Sequence, residues 1–316
     1  MNINIEKDSK GNFNPDLYYI LKNIPEDILF NKEHNKRLPL GIYNVSTLRV
    51  YNAFDTLLES LNDAKVNIEK LSEKHIELLD SLMAFYDDVY SIMKCFFPKE
   101  KVKKNIIFND KWLMNIDTST KKIILNFKSE IAPFREPVAS IINRVKHDQA
   151  RYCHIEAKTI RGTIKGFYVE GVNSEGTIVP DINIHPLFGE KYTAISYNRD
   201  IKIRFIDFII VNSIVVKYIN KLISSHYGKI IKLNRENGSD NDSLLKLSNM
   251  CSTIPNNYFP DEYQKEIPQI DLKESIDFRS KAYANYSQKI IPINKYSIKT
   301  TMQADGVSDS WALPYF

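Results

Sequence analysis

Cysteine is scarce in this chain. Only Cys95, Cys153 and Cys251 occur in 316 residues, far apart and without a Cys-x-x-Cys or Cys/His ligand spacing. Neither a disulfide framework nor a zinc site is therefore expected, and a reducing, cytoplasmic compartment fits. Apolar runs free of charge are missing as well. The greasiest stretch, IKIRFIDFIIVNSIVVKYINKLI, carries Lys202, Arg204, Asp207, Lys217 and Lys221. That is too many charges for a bilayer span, so the stretch is expected to form a buried helix and no membrane partner is foreseen. The polar beginning, MNINIEKDSKGNFNPD, lacks the make-up of a secretion signal.

A strong charge of either sign is absent too. Lysine and arginine total 43 against 39 aspartates and glutamates, a formal charge of +4, so a nucleic-acid partner would have to be met by a local basic patch. Enzyme signatures are few. GxSxG, HExxH and the phosphate-binding loop do not occur, and GTIKGFYVEG is a hairpin pattern without the strand, turn and helix context of a phosphate cradle. Cys153 and His154 are neighbours, which on a strand points them to opposite faces and argues against a nucleophile and base dyad. No fixed-period repeat is visible. No cofactor and no metal site are expected.

What is present describes a globular chain, 43% hydrophobic and 26% charged. Up to about residue 45 the breakers NP, IPED and LPLG punctuate an arm laid over a core. Ser46 and Thr47 then offer caps for a helix carrying Leu48, Tyr51, Phe54, Leu58 and Leu61 at helical spacing. A second helix, capped by Ser72 and stopped near Pro98, has Ile76, Leu79, Met83, Tyr86 and Met93 on one stripe and Asp80, Asp87 and Asp88 on a solvated face. NIIF and KKIILNF look like short strands, and a third helix is expected to begin around Pro137. Strands and turns fill about residues 149–195, and a fourth helix runs from about Asp200 to His226, with Gly228 as its cap.

The expected fold class is therefore α+β. Four longer helices make the core domain, about residues 46–230, with a small antiparallel β-sheet inserted between the third and fourth. An irregular N-terminal arm (1–45) and a loop followed by an aromatic-rich C-terminal arm (231–316) flank it. NYFPDEY, AYANY and SWALPYF suit packing on the core or on a second subunit.

Chemistry concentrates in IINRVKHDQARYCHIEAK. Asn143, Lys146 and His147 cluster at the end of the third helix, Arg144 sits on another quadrant, and Arg151 and His154 follow. An imidazole can pass a proton near neutral pH, and a guanidinium or ammonium can hold charge developing on a phosphate. His147, Arg144 and Asn143 are thus the candidate catalytic residues, with Lys146, Arg151 and His154 on the substrate. The bland alternative is that basic side chains complement the helix dipole in a last turn. His34, His75, His185 and His226 are expected to be non-catalytic, His75 because it lies in a first helical turn.

The paired helices followed by NRVKH, over about residues 47–228, resemble HEPN domains. That family includes metal-independent ribonucleases of bacterial toxin and phage-defence systems, in which an Arg a little over one helical turn before a His forms the motif. In this chain Asn143 stands four positions before His147 and Arg144 three, and the inserted sheet interrupts the helices. The resemblance implies RNA or a nucleotide as substrate, and a homodimer or larger assembly in which two motifs meet. It equally allows a non-catalytic binding subunit engaging a partner protein of the same system.

Overall fold

The computed structural model describes residues 2–62, 68–148, 150–159, 162–236, 238, 242–281 and 297–300. Within them the fold is α+β, as the patterning predicts. Most of the aromatic-rich arm beyond residue 281, including AYANY and SWALPYF, lies outside the described residues.

The chain opens with strand β1 (Asn2–Glu6) and helix α1 (Asp16–Lys22). Helix α2 (Pro39–Asn62) starts earlier than Ser46, because Pro39 suits a first turn where no N–H is needed. Helix α3 (Ile68–Lys94) likewise begins before Ser72, whose hydroxyl lies 3.3 Å from that of Tyr197 and so serves the interior rather than a helix end. The short helix α4 (Asn109–Leu113) holds Trp112 in the core.

Helix α5 (Thr118–His147) takes in KKIILNF, which is not a strand. Asp117 caps it by accepting the Thr120 N–H at 2.7 Å, and Ile124, Phe127, Ile131 and Val138 then recur on one buried stripe. Helical period over several turns outweighs the β-propensity of a short apolar run. Pro133 and Pro137 both lie inside this helix, so Pro137 marks no beginning. NIIF forms no strand either, and its Ile107 and Phe108 are exposed.

The inserted strands follow as expected: β2 (Tyr152–Thr159), β3 (Gly162–Val172), β4 (Ile178–Pro180) and β5 (Ile195–Ser196). β2 and β3 pair antiparallel with His154 opposite Phe167, while β4 and β5 pair with successive stretches of β3. Strand β8 (Ser297–Thr300) joins the far edge of β2.

Helix α6 (Tyr197–Tyr227) is the axis of the molecule and ends where Gly228 turns left-handed at φ 62°. Buried residues lie all round it. Phe205 meets Phe54 edge-on and Phe208 meets Phe85 the same way, tying α6 to α2 and α3. Helix α7 (Ser243–Thr253) packs on α2 and on the strand at Ile267–Leu272.

The two terminal regions also meet, which local breakers could not reveal. Strands β6 (Ile267–Leu272) and β7 (Ser275–Lys281) form a hairpin, and β1 adds to β7 to give a second antiparallel sheet in the order β1-β7-β6. Ile5, Ile276 and Phe278 point from it into the same apolar cluster as α6.

Candidate functional site

The last turn of α5 abuts the β3–β4 end of the inserted sheet. Arg144 reaches Asp181, just past β4, at 2.6 Å through Nε and Asp148 at 3.1 Å through a terminal nitrogen. Asp181 can come close because Gly171 faces it: a methyl at that glycine would lie 2.9 Å from the aspartate. Arg151 turns to the same sheet end, bonding Glu170 at 2.9 Å. Lys146 points instead to α3 and pairs with Asp80 at 2.5 Å.

The structure thus brings Asn143, Arg144, Lys146 and His147 onto one helix end, with Arg151 anchored beside it on β3. Each of the three cations meets a carboxylate. Asn143 and His147 are exposed, one turn apart. Two of the acids expected on a solvated face have partners as well, Asp80 with Lys146 and Asp88 with Arg49.

His154 lies apart from this cluster. Its ring is buried against Tyr197, and among the described residues neither ring nitrogen has a hydrogen-bond partner. Burial, with Lys165 nearby, pulls its pKa down to about 4, while Glu156 is 3.7 Å away. A buried imidazole that must stay neutral costs stability once the unfolded chain can protonate, so its contribution is intact above pH ~6.5 and falls as pH drops towards about 4. His154→Phe is therefore expected to fold as stably as the parent at pH 7. Between there and pH 4 it should lose about 3 kcal/mol less, as urea titrations at several pH values would read. Parallel losses in parent and variant would contradict this burial.

Cys153 offers no nucleophile. Burial and Glu170, which accepts its thiol at 3.5 Å, push its pKa up to about 12.

The most organised polar cluster is centred on His75, which sequence patterning does not single out. Its Nε2 lies 2.8 Å from Asp200, and its Nδ1 lies 2.7 Å from the Tyr152 hydroxyl. Tyr152 continues to Tyr197 at 3.3 Å, and Asp200 accepts from Arg204 at 3.0 Å. Burial alone would raise the Asp200 carboxyl, yet Arg204 and His75 together hold it down to about 2. His75 is fully buried, and Phe167 covers it at 4.8 Å. The arrangement has the partners of an acid–base relay, with His75, Asp200 and Tyr197 buried, and it ties α3, β2 and α6 together. The one sequence signal was Asp200 and Arg204 at i and i+4 within an otherwise apolar helix.

The other histidines also serve the interior. His185 accepts the Val169 N–H at 2.8 Å and is kept neutral by burial, its pKa pulled down to about 3. His34 meets the Phe97 carbonyl and His226 the Thr120 hydroxyl, each at 2.8 Å.

Among the described residues no group of three His, Cys, Asp or Glu side chains could hold a metal ion, and no helix is long and apolar enough to cross a membrane. Compared with known proteins, the chain gives no significant match to a family model, a curated protein or a solved structure.

Proposed function

We propose that this chain is a HEPN-like protein of a bacterial defence or toxin system that cleaves RNA without a metal, with His147 as the proton-transferring group. The observation that carries the proposal is the exposed Asn143–His147 pair on the last turn of α5, set among cations whose own positions are fixed by carboxylates. Anchored guanidinium and ammonium groups hold a phosphate with little reorganisation. Asn143 would orient the phosphate, with Lys146, Arg144 and Arg151 steadying its charge.

Cleavage without a metal uses the neighbouring 2′-hydroxyl as nucleophile. Its oxygen bonds to phosphorus as the bond to the 5′-oxygen breaks; one base takes the hydroxyl proton and one acid gives a proton to the leaving oxygen. His147 supplies one of these roles, and His147 of a second copy would supply the other, which is the reason to expect a dimer in the cytoplasm. RNA should be cut in EDTA while DNA of the same sequence survives. Cleavage of both, or cleavage only with added divalent metal, would overturn this chemistry.

A second reading is favoured by the same ion pairs. Lys146, Arg144 and Arg151 spend part of their charge on Asp80, Asp181, Asp148 and Glu170, which suits a non-catalytic subunit that docks a protein or nucleic-acid partner. RNA retained in a gel-shift assay but never cut would support it.

A further inference from the structure

Helix α6 carries an unbalanced set of buried charges. Asp200 and Asp207 both face the single guanidinium of Arg204, at 3.0 and 3.6 Å, and their side chains are only 4% and 15% exposed. Asp200 is fully provided for by Arg204 and His75. Asp207 is not: among the described residues no donor lies within hydrogen-bond distance of it. Buried carboxylates are ordinarily paired and hydrogen-bonded, so the remaining valence calls for a donor.

Asp207 opens onto a cavity of about 240 Å³ between α6, α5 and the start of β6. Phe134, Ile203, Ile206 and Pro268 make its apolar walls. Glu266 and Arg199 stand at it too, but Arg199 already donates to the Glu266 carbonyl at 2.9 Å. The volume exceeds the roughly 150 Å³ in which a benzene molecule is held, and it combines apolar walls with few polar groups, as ligand sites do.

We propose that this cavity binds a small organic monocation, an alkyl- or arylalkylammonium whose hydrocarbon body lies on Phe134, Ile203, Ile206 and Pro268 and whose ammonium donates to the Asp207 carboxylate. The surrounding charges decide the sign. Asp200, Arg204 and Arg199 face Asp207 from α6, Tyr86 approaches it from α3, and Glu266 lies across the cavity. The three carboxylates of Asp200, Asp207 and Glu266 stand against the two guanidiniums of Arg199 and Arg204, which leaves one negative charge for a monocation to balance. Burial pushes the Asp207 carboxyl up to about 7 against the opposing pull of Arg204, so an arriving ammonium displaces a proton. Affinity then rises with pH, by about tenfold between pH 6 and the plateau above pH 8.

The test is calorimetric titration of the full chain with phenethylamine and with its neutral counterpart 2-phenylethanol, at pH 6 and pH 8, repeated on Asp207→Asn. The amine should bind at least tenfold more tightly than the alcohol at pH 8, lose about tenfold at pH 6, and lose its advantage in Asp207→Asn. Absence of amine binding at about 10 mM, equal binding of amine and alcohol, or an undiminished amine affinity in Asp207→Asn would overturn the proposal. Should Asp207→Asn fail to fold, Ile203→Trp fills the same cavity and should abolish amine binding; retained binding there would be equally contradictory.

Discussion

Arg204→Met is expected to destabilise the protein by about 3–5 kcal/mol, because it removes the guanidinium that is ion-paired with both Asp200 and Asp207. Arg204 is 7% exposed on its side chain, Asp200 is 4% exposed, and Asp207 meets solvent only along the cavity wall. The Asp200 charge would keep His75, and Asp207 would take up a proton; neither recovers what a bonded guanidinium supplies. Urea denaturation monitored by circular dichroism reads the change as a lower midpoint at unchanged slope. Adding Asp200→Asn to Arg204→Met should recover part of the loss, since the two sites share one network. A midpoint within experimental scatter of the parent would show that the charges on α6 are solvated rather than buried.

Gly166→Ala is the second large effect. A methyl at Gly166 would stand 2.4 Å from the Ile195 carbonyl oxygen and 2.5 Å from a ring carbon of Phe259. The first contact is with backbone, which cannot rotate away. Gly166 pairs with Ser196 and Phe167 with Ile195, so the clash falls on the bridge that leads straight into α6. Glu262 holds that junction from the other side by accepting the Ser196 N–H at 3.1 Å. The expected loss is at or above the upper end of ordinary overpacking, about 3 kcal/mol, with poor soluble yield. Gly41→Ala is the control. Its methyl, in the first turn of α2, meets only the Arg37 side chain, at 3.4 Å from Cβ and 3.9 Å from Cδ, so that variant should be neutral or stabilised by up to about 1 kcal/mol. Equal behaviour of the two variants would contradict the packing of β5 on β3.

Much of this architecture was legible in residue order. The stripe of α3, the all-round apolar character of α6, the stop at Gly228 and the inserted strands all follow from period and breakers, which are local properties. KKIILNF was misleading because seven residues of apolar and basic character fit either period, and the decision rests with Asp117 before them and Val138 beyond. The sheet of β1, β7 and β6 joins residues from opposite ends of the chain, a pairing no window could contain. For the site, the clustering of Asn143 to His147 was visible as helical spacing. The carboxylates that anchor it, Asp80, Asp181 and Glu170, come from α3 and from the sheet, and only folding brings them there. His75 went unrecognised for the same reason: its partners Tyr152 and Asp200 lie 77 and 125 residues away.

In the proposed function, His147, exposed at the end of α5, transfers the proton in metal-free RNA cleavage, and the buried His75 takes no part in it. That role is tested most directly by comparing the parent chain with His147→Ala for RNA cleavage in EDTA, after circular dichroism has shown both to be folded. The account predicts cleavage by the parent and its loss, by about 10²-fold or more, in the variant. Equal cleavage by the two proteins would contradict it.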